Sequence, residues 1–135
     1  MPAKDRYHDA VVHALVKDGW TITSEQVFID FAERHLWVDI QAAKALEQLT
    51  ILVEVKGFEN MPSPVDYLTS AVGKYVIYLS ALDYAGLDMP LYMAVPIAAY
   101  EGILSEEIGR RTVRKANIKL MVFDSVEEEV VRWIP

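Results

Sequence analysis

Residues 51–58, ILVEVKGF, place one carboxylate and one amine inside an otherwise apolar run. Successive side chains of a β-strand point to opposite faces, so the isoleucine and the two valines share one face, which we expect in the core. Glu54 and Lys56 share the other face. An unpaired ion buried in so apolar a strand costs on the order of several kcal/mol, so both charges need a partner. A mutual ion pair or a bound metal ion would each supply one.

The length of 135 residues predicts one domain with a hydrophobic core of its own. The absence of cysteine excludes disulfides, thiolate zinc sites and cysteine nucleophiles. The first ten residues, MPAKDRYHDA, lack the apolar stretch of a signal peptide, and no apolar run approaches the roughly 20 residues of a membrane span. We therefore expect a cytoplasmic protein without a membrane contact.

The formal net charge of -7 weighs against extensive binding to nucleic acid phosphates. The dense basic cluster of the chain is formed by Arg110, Arg111, Arg114 and Lys115. The favoured interpretation of this cluster is a solvated helix face that balances Glu106 and Glu107. A local DNA contact there is the alternative.

The hydrophobic spacing predicts an α/β (α+β) fold with a mixed central sheet and flanking helices, in the order α-β-β-β-α-β-α-α-β. A further edge strand is expected at residues 130–134. Helices are predicted at residues 5–18, 64–86, 97–104 and after Ser105, and strands at residues 20–31, 36–41, 51–58, 91–95 and 118–123. The short link before residue 51 predicts that the second and third strands are antiparallel neighbours, with Asp39 beside Glu54 and Lys56.

The long helix begins with clear signals, because Ser63 can cap it and Pro64 suits its first turn. Its core stripe is predicted to contain Leu68, Val72, Tyr75, Leu79 and Leu82. An adjacent stripe, which could border a functional site, contains Tyr67, Ala71, Lys74 and Tyr78.

Several familiar sites are absent from the sequence: a glycine-rich phosphate loop, a G-x-S-x-G elbow and an H-E-x-x-H pair. Asp39 and the triplet Glu54-Val55-Lys56 remain. Two carboxylates on adjacent strands can hold a hard divalent ion such as Mg²⁺, which accepts a phosphate oxygen during phosphodiester cleavage. Lys56 could orient or deprotonate the attacking water. From the spacing alone, a buried ion pair between Lys56 and either carboxylate is the favoured alternative.

The layout of a helix, three strands with D and E-V-K, a long helix and a strand resembles the PD-(D/E)xK restriction-endonuclease-like fold. Over nearly the whole chain the sequence is more specifically similar to the XisH family, cyanobacterial fdxN element excision controlling factors. The segments that carry this similarity are PAKDRYHDAVVHALVKDGWTIT, LWVDI, VEVKGF, AVGKYVIYLSAL, LYMAVPIAAYE and KLMVFDSVEEEVVRWIP.

This resemblance implies that Asp39, Glu54 and Lys56 occupy the nuclease motif positions, with Asp39 and Glu54 as ligands of Mg²⁺ or Mn²⁺. It also implies a supporting acidic residue, Asp9, on the first helix. Lys74 departs from the family pattern, because it stands where the family usually has glutamine, and it could contact a phosphate. The implied role is excision of a DNA element during heterocyst development, together with a XisI-like protein. A DNA endonuclease and a non-catalytic accessory protein both remain open. Two cuts or a symmetric DNA site would require a homodimer.

Overall fold

A computed structural model gives a six-stranded mixed sheet with helices on both faces, and it describes residues 5–58 and 63–135. The predicted mixed α/β class and the order of elements are confirmed, including the expected edge strand. The helices are α1 (His8–Lys17), α2 (Pro64–Ala85), α3 (Ile97–Glu101) and α4 (Glu107–Lys115). The strands are β1 (Thr21–Phe31), β2 (Arg34–Lys44), β3 (Leu49–Val55), β4 (Leu91–Pro96), β5 (Lys119–Asp124) and β6 (Glu129–Ile134).

The strands lie side by side in the order in which they occur along the chain. The pairs β1/β2, β2/β3 and β5/β6 are antiparallel, whereas β4 is parallel to both β3 and β5. The parallel pairs are joined through α2 and through α3 and α4, because a parallel connection must cross from one end of the sheet to the other. The predicted antiparallel pairing of β2 and β3 is confirmed, and Ile40 lies opposite Val53.

The hydrophobic core has two parts, one on each face of the sheet. Residues of α1 pack with Ile51, Val53 and Val55 on one face. Residues of α2 pack with Leu52 and the inward residues of β4 and β5 on the other. The prediction that only one face of β3 lies in the core is therefore wrong, because helices cover this central strand on both sides. Glu54 and Lys56 are buried among these side chains.

The ends of α2 follow the predicted signals. The Ser63 hydroxyl accepts a hydrogen bond from the backbone N–H of Asp66, and Pro64 occupies the first turn. The helix ends at Gly86, whose φ of 71° is a conformation that favours glycine. Leu79, predicted in the core, is instead 37% exposed, because α2 buries a narrower stripe than its apolar sequence indicates.

The connection between α3 and α4 differs from the sequence prediction. A short 3-10 turn, Ile103–Ser105, separates the two helices, and Glu106 occupies the cap position of α4. The Ser105 hydroxyl donates to the Glu101 and Gly102 carbonyl oxygens, so it closes the preceding turn instead of capping α4. Among residues 5–58 and 63–135, no helix is long and apolar enough to cross a membrane.

Candidate active site

The candidate site lies where β2 separates from β3, at the carboxyl end of β3. Backbone pairing reaches Ile40 and Val53, and the next residues are joined through side chains. The Glu54 carboxylate accepts the Asp39 backbone N–H through Oε1 at 3.1 Å. The Asp39 carboxylate accepts the Val55 backbone N–H through Oδ2 at 2.8 Å. Each strand therefore fixes the carboxylate of the other, and the two acids are held with little freedom.

Lys74 of α2 provides the positive charge nearest to these acids. Its Nζ lies 2.7 Å from Glu54 Oε2, and its side chain is 40% exposed whereas that of Glu54 is 3% exposed. The Lys74 ammonium also lies 5.8 Å from the centre of the Tyr78 ring. The Tyr78 hydroxyl donates to the Trp37 carbonyl oxygen at 3.0 Å, which ties this part of α2 to β2. The predicted second stripe of α2 thus borders the acids.

Lys56 lies two residues beyond Glu54 but points to α2. Its Nζ donates to Ser70 Oγ at 2.7 Å and lies 5.6 Å from the centre of the Tyr67 ring. The Tyr67 hydroxyl donates to the Lys56 carbonyl oxygen at 3.0 Å, so the backbone is anchored as well. The Lys56 ammonium is thereby held at a defined place beside the acids and makes no ion pair with Asp39 or Glu54 in this part of the structure.

The segment before α1 approaches the same place through Asp5, which the sequence analysis predicted only as the start of a helix over residues 5–18, whereas α1 begins at His8. Asp5 accepts the Gly57 backbone N–H through Oδ2 at 3.2 Å. A Cβ at Gly57 would lie 2.7 Å from the Tyr7 ring, so this close approach requires glycine. Asp9, the residue predicted on the first helix, lies on the exposed side of α1, and the buried position beside it belongs to His8.

Gln26 of β1 is a second residue of the site that the sequence did not indicate. Its neighbours Glu25 and Val27 pair with the residues on either side of Asp39, and the Gln26 Nε2 donates to Asp39 Oδ1 at 3.4 Å. Its φ of 55° departs from regular strand geometry. The Gln26 Oε1 atom is buried and has no hydrogen-bond partner among the described residues. The side chain therefore brings an unsatisfied oxygen to the edge of the acidic pair.

Burial governs the ionisation of Glu54. Burial and the nearby charge of Asp39 raise the pKa of Glu54 from 4.5 to about 8, although Lys74 acts in the opposite direction. For Lys74, burial disfavours the ammonium, but the charge and hydrogen bond of Glu54 outweigh it and raise the pKa. Lys74 gains this support only from an ionised Glu54, so the two shifts conflict near neutral pH. Because Glu54 is the more deeply buried of the two, its carboxyl group stays protonated at pH 7 while the Lys74 ammonium keeps its charge.

The pKa of Lys56 shifts in the opposite direction to that of Lys74. Burial lowers the pKa of Lys56, and the neighbouring charge of Lys74 adds to this effect. Asp5 and Glu54 counteract it in part. A lysine with a lowered pKa exchanges a proton more readily near neutral pH than an ordinary lysine does.

The oxygen atoms of the site are of the types that a hard divalent cation binds. Mg²⁺ is commonly held by one or two carboxylates and keeps several waters. Asp39 and Glu54 supply the carboxylates, and the unsatisfied Gln26 oxygen is a suitable neutral ligand. Lys74 now lies against Glu54 Oε2, so it would have to move from that oxygen. Within the described ranges no group of three or more His, Cys, Asp or Glu side chains could hold a metal ion, so any metal site rests on this smaller set.

Three comparisons place these features among known proteins. The family described as XisH protein matches residues 1–131. A crystal structure of an XisH family protein from Nostoc punctiforme is 30% identical, with a TM-score of 0.89 over 97% of this chain and 100% of that chain. A crystal structure of an fdxN element excision controlling factor protein from Anabaena variabilis is also 30% identical, with a TM-score of 0.89 over 98% and 100% of the two chains. No curated protein matches the chain.

Proposed function

The chain belongs to the XisH family, and we propose that it takes part in the controlled excision of a DNA element and cleaves DNA there as a Mg²⁺- or Mn²⁺-dependent endonuclease. The neighbour from Anabaena variabilis is described as an excision controlling factor, which supports the first part. The second part rests mainly on one observation: Asp39 and Glu54 lie on adjacent antiparallel strands, and each carboxylate accepts a backbone N–H of the opposite strand, Glu54 from Asp39 and Asp39 from Val55. Lys56 lies two residues after Glu54. This arrangement resembles the PD-(D/E)xK nuclease motif, which supports the proposal.

Asp39 and Glu54 would hold the metal ion, and the Gln26 amide oxygen would be a third ligand. A divalent ion bound there would polarise the scissile phosphate and lower the pKa of the attacking water. The strand backbone keeps both carboxylates in place without side-chain reorganisation. Glu54 must lose its proton to act as a ligand, which favours activity at mildly alkaline pH.

The two lysines would have separate roles in cleavage. Lys56 is positioned by Ser70, and its lowered pKa suits Nζ for orienting the water or accepting its proton. Lys74 is partly exposed and would leave Glu54 to contact a DNA phosphate. Asp5 would act indirectly, because it fixes the backbone that follows Lys56.

Cleavage of plasmid and branched DNA in the presence of Mn²⁺ tests this proposal. We expect the unmodified protein to cut, and Glu54→Ala and Lys56→Ala each to lower the rate by about 100-fold or more. The matched controls are Glu107→Ala and Lys115→Ala on α4, which remove the same types of charge from exposed positions. Both control variants should cut at the unmodified rate. If Glu54→Ala and Lys56→Ala still cleave DNA, the observed cleavage does not come from this site and the nuclease proposal is wrong.

A non-catalytic accessory role is the second candidate, and the contact between Lys74 and Glu54 favours it. An ammonium group at 2.7 Å from the carboxylate takes the place that a metal ion needs, and a net charge of -7 opposes DNA binding. In that case the protein would bind a XisI-like protein or DNA within an excision complex. Co-purification of a XisI-like protein, without Mn²⁺ uptake in calorimetry and without cleavage, would favour this candidate. No association with that protein or with DNA would rule it out.

A homodimer is part of the nuclease proposal, since two cuts need two active sites. Sedimentation equilibrium of the purified chain, alone and with a short DNA duplex, measures this directly. A monomer in both samples would remove the homodimer from the proposal and leave the site chemistry unaffected.

A further inference from the structure

A groove on the α2 face of the sheet has no role in the proposed nuclease chemistry. It has a volume of about 930 Å³ and lies between α4 and the end of β6, with Tyr100 of α3 contributing to its wall. None of its lining residues belongs to the cluster around Glu54. Its function can therefore be tested independently of DNA cleavage.

The floor of the groove is apolar. It includes Leu104, Ile118 and Leu120, which are buried members of the core on this face, and Ile134 of β6 packs against them. The floor of the groove is therefore continuous with the core on this face. An apolar floor of this kind binds ligands that carry a hydrophobic body.

The rim of the groove is cationic. Arg114 and Lys119 line it, and neither forms an ion pair with another residue in the described part of the chain. Arg110 also lines it but is hydrogen-bonded to Glu107. Glu101 is the acidic side chain among the lining residues, and the final residue Pro135 also lines the groove, so basic side chains outnumber acidic ones by three to one at this rim. Two unpaired cations beside an apolar floor attract an anion with a hydrophobic body.

The wall at Tyr100 is held in a defined position. The guanidinium of Arg132 on β6 lies 5.9 Å from the centre of the Tyr100 ring. This contact joins α3 to β6 and fixes the Tyr100 ring that forms part of the wall. A flat aromatic wall suits a ligand with a planar or extended apolar body.

We propose that this groove binds a small amphipathic anion, in which a carboxylate or sulfonate is joined to an aromatic or aliphatic body. The anionic group would contact Arg114 and Lys119, and the apolar body would cover Ile118, Leu120 and Ile134. The volume lies within the range of roughly 300–1,000 Å³ typical of small-molecule sites. The charge complementarity selects an anion over a neutral or cationic molecule of the same size.

Fluorescence titration with 8-anilinonaphthalene-1-sulfonate, an aromatic sulfonate, provides the direct test. We expect saturable binding by the folded protein, and competition by decanoate but not by decanol or decyltrimethylammonium at equal concentration. Arg114→Glu should weaken binding about tenfold, because it replaces an attractive charge with a repulsive one. Lys115→Glu is the matched control, since it makes the same change in net charge at an exposed neighbour that does not line the groove.

The variants keep the proposal open to rejection. Near-ultraviolet circular dichroism should show that each variant remains folded, and Lys119→Glu carries the same test if Arg114→Glu does not fold. Equal weakening by Arg114→Glu and Lys115→Glu would overturn the proposal, because only bulk charge would then matter. Equal competition by decanol and decanoate would overturn the choice of an anion.

A dimer in sedimentation velocity that Arg114→Glu dissociates would instead assign the groove to a second copy of the chain. Displacement by an acidic amphipathic peptide but not by decanoate would assign it to a protein partner.

Discussion

The cluster around Glu54 and the basic face of α4 both concentrate charge, but they differ in how far the charges are buried and paired. In the cluster the charges are buried, and both carboxylates have hydrogen-bond partners inside the protein. On α4 the charges are exposed, and Arg114 has no ion-pair partner among the described residues. Burial makes a charge costly, whereas solvent screens an exposed charge, so the charges around Glu54 should affect stability more than those on α4. The α4 charges should act mainly on molecules outside the protein.

The comparison separates two ways of using a carboxylate. Glu54 has a raised pKa because burial and Asp39 disfavour its charge. Glu107 has a lowered pKa because Arg111 and Arg110 donate hydrogen bonds to it at the protein surface. An ionised glutamate therefore opposes folding at Glu54, whereas the ionised form is stabilised by its neighbours at Glu107. Substitutions at these two residues and at Lys74 test this contrast.

The largest effect is expected for Glu54→Gln at high pH. The folded-state pKa of about 8 exceeds the ordinary value of 4.5, so the folded protein keeps a proton that the unfolded chain loses. The contribution of Glu54 to the free energy of unfolding is fully present below about pH 4.5. It is lost as the pH rises to about 8, by about 3 to 5 kcal/mol. Glutamine cannot ionise, so the variant should lack this loss. Urea unfolding at pH 5, 7 and 9 measures it as a growing difference in the free energy of unfolding.

Glu107→Gln supplies the reference for that measurement, because it makes the same chemical change outside the core. Its pH dependence between pH 5 and 9 should follow that of the unmodified protein. Parallel curves for Glu54→Gln and the unmodified protein would show that Glu54 titrates normally. The contrast between buried and exposed charge would then fail at its strongest point.

Lys74→Met should have an intermediate effect, and one that depends on pH. At pH 9 the variant leaves an ionised Glu54 without its cation, at an expected cost of about 1 to 3 kcal/mol. At pH 5 the carboxyl is protonated and the cost should be small. Unfolding in urea at both pH values measures the difference. In the double variant with Glu54→Gln the cost at pH 9 should disappear, and its persistence would mean that Lys74 stabilises α2 by packing alone.

The framework of the cluster could be predicted because its signals are local. The alternation of apolar residues identified β2 and β3, and the short link between them placed Asp39 beside Glu54. The helical spacing of α2 placed Lys74 on a stripe that borders the site. Each of these inferences needs only neighbouring residues and a known repeat.

The details of the cluster could not be predicted because they depend on distant segments. Asp5 meets Gly57 across 52 positions of sequence, and Gln26 reaches Asp39 from a strand with irregular geometry. Nor does any sequence pattern reveal that Lys56 turns to Ser70. The groove has the same origin, since its floor combines residues from a turn, two strands and the link before β5.

The smallest effect on stability is expected for Glu107→Gln on α4. Glu107 is exposed and pairs with Arg110 and Arg111 in the solvent, where ion pairs contribute little. The melting temperature should not change measurably. Arg110, which lines the groove, would lose its internal partner and become available to a bound anion, so affinity for 8-anilinonaphthalene-1-sulfonate should rise by about twofold. A fall in melting temperature with unchanged affinity would mean that charge on α4 serves the fold, and that the two regions do not differ as their burial indicates.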